Sequence, residues 1–321
     1  MTLPTLDDFN TAAETVYAHM TPTPQVAWPL LAARVGCTVW VKHENHTPIG
    51  AFKVRGGLVY MDALRRAEPD VTGVVAATRG NHGQSIAFAA ARVGLSATVV
   101  VPHGNNPEKN AAMVAFGAEL IEHGEDFQAA LKHAFALADD RGLHKVPSYD
   151  MALAQGVGTY SMEFLEAAPD LDTVYVPIGL GSGICGMIAA RNALGRKTEI
   201  VGVVAEQAPT YALSFREGRA VPTNSSDTLA DGLAVRVPDE EALDLILEWV
   251  ERIVTVSEEE ILDAMRHYLT DTHNLTEGAG AASLAALMKE RDAQAGKTVG
   301  LVLSGGNADH ALLKRVVAGA T

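Results

Sequence analysis

From about residue 38 to the end of the chain, short apolar runs alternate with segments whose apolar positions recur at helical spacing. The runs "CTVWVKHE" (37–44), "GVVAAT" (73–78), "ATVVVP" (97–102) and "AELIEHG" (118–124) have the length and β-branched content of buried strands. Between and after them, "GGLVYMDALRRA" (56–67), "GQSIAFAAARVG" (83–94), "PEKNAAMVAFG" (107–117) and "DFQAALKHAFALADDRG" (126–142) predict helices, and the last three close on glycine. The alternation resumes after residue 150. "GVGTYSMEFLEAA", "GSGICGMIAARNALG" and "SEEEILDAMRHYLTD" predict helices, while "TVYVPIG", "EIVGVVAE", "RIVTVS" and "KTVGLVLSGG" predict strands. Ser257 with Glu260 three residues on has the form of a capping box, and a last helix is expected from about Asp309.

Strands that alternate with helices imply parallel sheets covered on both faces. The expected fold is therefore α/β with two lobes, each a mostly parallel open sheet with helices on both faces. Boundaries are expected near 48–50 and 145–150, so that residues 1–49 and 146–321 form a large domain and 50–145 a small mobile one. Right-handed crossovers put every strand's C-terminal end on one side, where open α/β sheets bind ligands. Three glycine-rich loops fall at such ends: "TRGNHG" (78–83), "GLGSG" (179–183) and "SGGN" (304–307).

Composition narrows the class. A chain of 321 residues with 48% hydrophobic residues can build a full core, and its net charge of −14 argues against nucleic acid or an anionic membrane as partner. Cys37 and Cys185 are the only cysteines, too few for a disulfide framework. No apolar run is long enough to span a bilayer, and the acidic N-terminus does not read as an export signal, so a cytoplasmic protein is expected.

In "VPIGLGSGICG" (176–186) a strand runs into a glycine-serine turn and then a helix start. Backbone N–H groups and the positive end of the helix dipole suit a phosphate there. The same composition also serves a dinucleotide pyrophosphate or a tight βα turn, and no P-loop lysine follows. Asn81 and His82, between Gly80 and Gly83, could aim donors at a ligand, although an αL turn explains an asparagine equally well. Ser304 stands where another strand meets the crevice, a position that also suits a turn or cap. Lys53 follows Ala51-Phe52 and precedes an apolar helix, so its stem is expected to be partly buried. Burial lowers an amine's pKa, which a Schiff-base lysine requires. A phosphate turn, such a lysine and polar groups that could meet a ring together suggest pyridoxal 5′-phosphate.

The ordered set "GAFKVRGG" (50–57), "RGNHG" (79–83), "VPIGLGSGICG", "TEGAGAASLAAL" (276–287) and "SGGN" resembles the fold-type II pyridoxal-phosphate enzymes, within them the threonine/serine dehydratase and serine racemase group. The likeness runs from about residue 20 to 310. It implies that Lys53 carries the cofactor covalently and later serves as the base on Cα, that Phe52 packs beside the ring, and that Asn81 bonds the ring oxygen. It further implies that the backbone of Gly179, Leu180, Gly181, Ser182 and Gly183 holds the phosphate, that Ser304 faces the pyridine nitrogen, and that the loop Thr78, Arg79, Gly80, Asn81, His82 binds the substrate α-carboxylate. Such enzymes are usually homodimers or homotetramers.

The chain departs from the group's pattern at several positions. Arg79 replaces the serine that is the second acid/base in the racemases, and a guanidinium does not exchange protons near neutrality. "VPSYDM" (146–151) replaces the usual pocket-lining segment, so Ser148 and Tyr149 could meet the substrate's β-substituent or serve an ordinary loop. Gly278 stands where proline is usual, and Ala212 where the racemase-like members carry a metal-binding aspartate beside Glu206, so no tight metal site is expected. The expected activity is that of an ammonia-lyase (dehydratase) acting on threonine, serine or a bulkier or acidic relative such as phenylserine or 3-hydroxyaspartate. Racemisation or β-replacement is the alternative with the same cofactor. A dinucleotide-binding oxidoreductase, which would leave Lys53 unexplained, or a non-catalytic binding protein on the same fold is the alternative of another class.

Overall fold

The computed structural model describes residues 3–319. A three-residue strand β1 (Gln25–Ala27) precedes β2 (Thr38–His43). Next come β3 (Gly73–Ala77), β4 (Ser96–Val101), β5 (Ala118–Glu122) and the two-residue β6 (His144–Lys145). The chain then returns through β7 (Thr173–Pro177), β8 (Glu199–Ala205), β9 (Arg252–Val256) and β10 (Thr298–Leu303). Two sheets result, a six-stranded one ordered β1-β2-β10-β7-β8-β9 and a four-stranded one ordered β5-β4-β3-β6.

Every pairing is parallel except β1 with β2, where Gln25, Val26 and Ala27 face Lys42, Val41 and Trp40 antiparallel. The central strands β3, β7 and β8 are buried almost throughout and carry the near-continuous apolar runs of a sheet covered on both faces. The capping box at Ser257 and Glu260 forms with both hydrogen bonds present, and Asp309 caps the last helix. No helix among the described residues is long and apolar enough to cross a membrane.

Sequence patterning did not mark β1, β6, or the helices Leu6–Tyr17, Pro29–Val35, Thr210–Glu217 and Glu240–Trp249. The two strands are too short to show a period and exist through pairing with neighbours. Helix Met151–Ala167 starts five residues earlier than its apolar segment suggested, because Asp150 caps it by accepting from Ala152 N–H.

The four-stranded sheet is built from residues 73–145, but the helix Lys53–Ala67 sits against both lobes. It touches helix Asn81–Arg92 on one side and helix Met151–Ala167 on the other. Against the latter the approach is backbone to backbone: a Cβ on Gly56 would lie 2.7 Å from the Leu153 carbonyl oxygen, and one on Gly156 2.5 Å from that of Arg55.

Arg55 bolts this contact from inside. Its fully buried guanidinium donates to both oxygens of Glu44 (Nε–Oε2 2.8 Å, Nη2–Oε1 3.0 Å), to Glu163 Oε1 (2.6 Å) and to Thr159 Oγ1 (3.0 Å). Lys42 completes the cluster, with Nζ donating to Glu163 and to the Thr23 carbonyl (2.8 Å). Two cations face two carboxylates, so the buried charge is balanced, and removing one partner strands the others. Arg55→Met is expected to destabilise the fold by about 3–5 kcal/mol, read by denaturant unfolding, with Arg55→Lys recovering part of the loss. A loss under about 1 kcal/mol would show that the cluster holds nothing together.

Candidate active site

The C-terminal ends of the two sheets face a common cavity of about 240 Å³. Its wall takes Thr78 after β3, Pro177 at the end of β7 and Gly179 after it, and Ser304 after β10, which is where parallel strands deliver their loops.

Lys53 is the first residue of its helix, and its entry loop is stitched to the turn after β10. Phe52 N–H donates to the Ser304 carbonyl (3.0 Å), Gly306 N–H to that of Gly50 (2.9 Å), and Ala51 pairs with Gly305 as an antiparallel bridge. Lys53 and Ser304 are therefore positioned as one unit. The amine donates to Ser182 Oγ (2.8 Å) on the glycine turn and lies 5.3 Å from the Phe52 ring centroid. Burial alone pulls its pKa down to about 8. The Phe52 ring is held edge-on to Tyr160, with centroids 6.1 Å apart.

Gly179 to Gly183 form a bare backbone cradle. Gly181 has φ +114°, which side chains rarely adopt, and a Cβ there would sit 2.5 Å from Ala242 Cβ. Helix Ser182–Ala193 starts at this point with no side chain capping it, so its first N–H groups face the cavity end without intrahelical acceptors. Helix Asn81–Arg92 starts the same way at Gly80, and both residues line the cavity. Two uncapped helix starts around one space are suited to anionic groups.

Thr78 and Gly80 form a tight turn, with Gly80 N–H donating to Thr78 Oγ1 (3.1 Å). Arg79 is exposed on the cavity's rim. His82 lines the cavity with its Nε2 buried and unpartnered. Burial and the neighbouring Lys53 pull its pKa down to about 3, so the ring is neutral.

The structure brings together around the cavity all of the catalytic, cofactor-binding and substrate-binding candidates except Tyr149. Ser148 lines the cavity, but Tyr149 turns into the core beneath the glycine turn, its ring 3.6 Å from where a Gly181 Cβ would be. The expectation that Tyr149 meets substrate is corrected: the segment is irregular, and its aromatic side chain packs inward with the core of the large lobe while Ser148 faces the cavity.

Several residues of the cavity wall were not anticipated. Lys109, from the first turn of helix Pro107–Ala115, meets Asp231 (3.0 Å) and Glu277 (3.8 Å). Glu277 accepts from Asn81 Nδ2 (2.6 Å), and Asn81 Oδ1 accepts from Asn307 (2.8 Å). Arg236 lies 3.7 Å from Asp126 across the lobes. Glu277 stood inside a quoted motif and could have been questioned there, whereas Lys109 opens an ordinary helix and gives no local signal.

The model of the family described as "Pyridoxal-phosphate dependent enzyme" matches residues 16–305. An L-threonine ammonia-lyase of Thermotoga maritima is 34% identical over 314 residues, covering 98% of this chain and 78% of that protein. An L-threo-3-hydroxyaspartate ammonia-lyase of Saccharomyces cerevisiae is 32% identical over 311 residues, 96% of this chain and 95% of that one. Among solved structures, a pyridoxal 5′-phosphate-dependent aspartate racemase superposes with TM-score 0.90 at 30% identity, covering 95% of this chain and 96% of that one.

The Lys53 environment makes a direct prediction. An amine reagent titrated against pH should label Lys53 of the cofactor-free protein with a midpoint near 8, rising as the amine loses its proton, about two units below exposed lysines. A midpoint at the ordinary lysine value would mean the site is wetter than described.

Proposed function

The chain belongs to the pyridoxal-phosphate dependent enzymes, and on that premise we propose that it removes water and then ammonia from a β-hydroxy-α-amino acid to leave a 2-oxo acid. The observation that carries this reading is Lys53 Nζ, a half-buried amine of lowered pKa, 2.8 Å from the serine of a glycine cradle in a cavity with two uncapped helix starts.

The residues present fit the cofactor. At Gly179 the cradle excludes a side chain, since a Cβ there would lie 2.4 Å from the Gly232 carbonyl oxygen. The N–H groups at Ser182 and Gly183 supply donors, and Phe52 supplies an apolar wall. Ser304 offers a neutral hydroxyl-bearing side chain, 4% exposed, where the resemblance places the ring nitrogen.

When bound, the cofactor supplies the electron sink that makes the substrate's Cα acidic. Lys53 would hold it covalently, and as a free amine would take the proton at Cα, a role for which an amine titrating near 8 is matched to neutral pH. The helix start at Asn81 and the turn Thr78–His82 hold the α-carboxylate by backbone N–H groups. Neutral His82 adds no charge to compete there. Lys53 and these turns together keep the reacting carbons out of water, between the lobes.

Arg79 decides among substrates. A guanidinium is no proton shuttle near neutral pH, so a residue of this type does not serve as the second acid/base that racemisation requires. At the rim it can pair with an anionic β-substituent, which favours 3-hydroxyaspartate over threonine, serine or phenylserine. A panel of these four amino acids should yield 2-oxo acid and ammonia, with Arg79→Ser lowering kcat/KM for 3-hydroxyaspartate about 10–100-fold relative to serine. No oxo acid from any member, with the cofactor still bound, would contradict the lyase reading. An unchanged ratio in Arg79→Ser would contradict only the role of Arg79.

A further inference from the structure

The cavity is lined by more positive charge than the chemistry described above uses. Its cations are Lys53, Arg79, Lys109 and Arg236, against the acids Asp126, Asp231 and Glu277. A local excess of cations stands out in a chain of net charge −14. Lys109 is taken up by Asp231 (3.0 Å) and Glu277 (3.8 Å), and Lys53 rests on Ser182. Two guanidiniums remain, one on each lobe. Arg79 follows β3 in the small lobe, and Arg236 stands in the irregular segment before helix Glu240–Trp249 of the large one. Among the described residues the ion pairs at the cavity include Arg236 but not Arg79.

The main chain of Arg236 is pinned, because its carbonyl accepts from the Thr223 N–H (2.8 Å). Its head group is not. The acid beside it is Asp126, at 3.7 Å, too far for a hydrogen bond, and the two side chains are 43% and 49% exposed. An exposed pair at that separation is weak, so the guanidinium can leave it for a better acceptor at little cost. Asp126 is also engaged elsewhere, since its Oδ1 caps helix Phe127–Arg141 by accepting from the Ala129 N–H (2.9 Å). A carboxylate entering between the two arginines would meet two planar forks of N–H donors, the geometry that suits its two oxygens.

We propose that Arg236 is a specificity-determining residue: with Arg79, from the opposite lobe, it clamps a second, distal carboxylate on the substrate. The inference rests on the proposed function and narrows its substrates to dicarboxylic β-hydroxy amino acids. Phe127 and Val237 also line the cavity and would suit an aromatic β-substituent instead. The two guanidiniums decide for charge, because they are the groups left without a close acid.

Unreactive carboxylates test this by their binding to the holoenzyme, measured by calorimetry. Succinate carries the second carboxylate, butyrate lacks it, and 3-phenylpropionate has a ring in its place. The protein should bind succinate most tightly of the three. Arg236→Gln should raise the Kd of succinate about 10–100-fold relative to that of butyrate, with Arg236→Lys recovering part of the loss. In an Arg79→Ser background the same replacement should cost less, since the two cations act on one group. A succinate-to-butyrate ratio unmoved by Arg236→Gln would overturn the proposal. So would losses from the two arginines that simply add, or 3-phenylpropionate binding more tightly than succinate. Should no amino acid yield a 2-oxo acid while the ratios move as stated, the lyase reading fails and the clamp stands. Oxo acid formed with flat ratios condemns the clamp alone.

Discussion

One amine has to be kept out of water and still within reach of whatever enters between the lobes. Most of the site's construction serves that constraint. Lys53 begins a helix whose third residue, Arg55, is clamped by Glu44 and Glu163, and whose fourth, Gly56, lies directly on the backbone of the neighbouring helix. The loop before it is tied by hydrogen bonds to the turn that carries Ser304. A flexible side chain is thereby mounted on a stem that cannot shift, and the lowered pKa follows from where the stem holds it.

The charges around the cavity are arranged by the same logic. Two helix starts at the cavity carry no side-chain cap, and their backbone N–H groups could receive anions without a buried cation. His82 stays neutral beside Lys53, and the fixed charges, Lys109 with Asp231 and Glu277, are confined to the wall. Those wall groups come from both lobes, as do Asn106 with Asp309 and Asp126 with Arg236. The polar wall is therefore complete only where the two lobes meet.

Much of this was legible in the residues, for a physical reason: buried parallel strands are continuous apolar runs, and their C-terminal loops are glycine-rich, so "TRGNHG", "GLGSG" and "SGGN" were found at the strand ends they occupy. The ordered motifs carried the rest of the likeness. What stayed hidden depends on pairing across long sequence separations. β1 and β6 exist only against a neighbour, and Lys109 meets Glu277 from 168 positions away in sequence. Arg55 stood in plain view inside "GAFKVRGG", but its burial depends on Glu44, Thr159 and Glu163, which no local pattern connects. Tyr149 was placed on the wrong side because an irregular loop has no period from which to tell inward from outward.

The most direct test of the whole account is chemical trapping of the amine at position 53. Borohydride added to the yellow holoenzyme should bleach the colour and leave the cofactor fixed to a single peptide, the one containing Lys53, with Lys53→Ala protein remaining unlabelled. Label found on another lysine, or a colourless protein that takes up no pyridoxal phosphate, would contradict it.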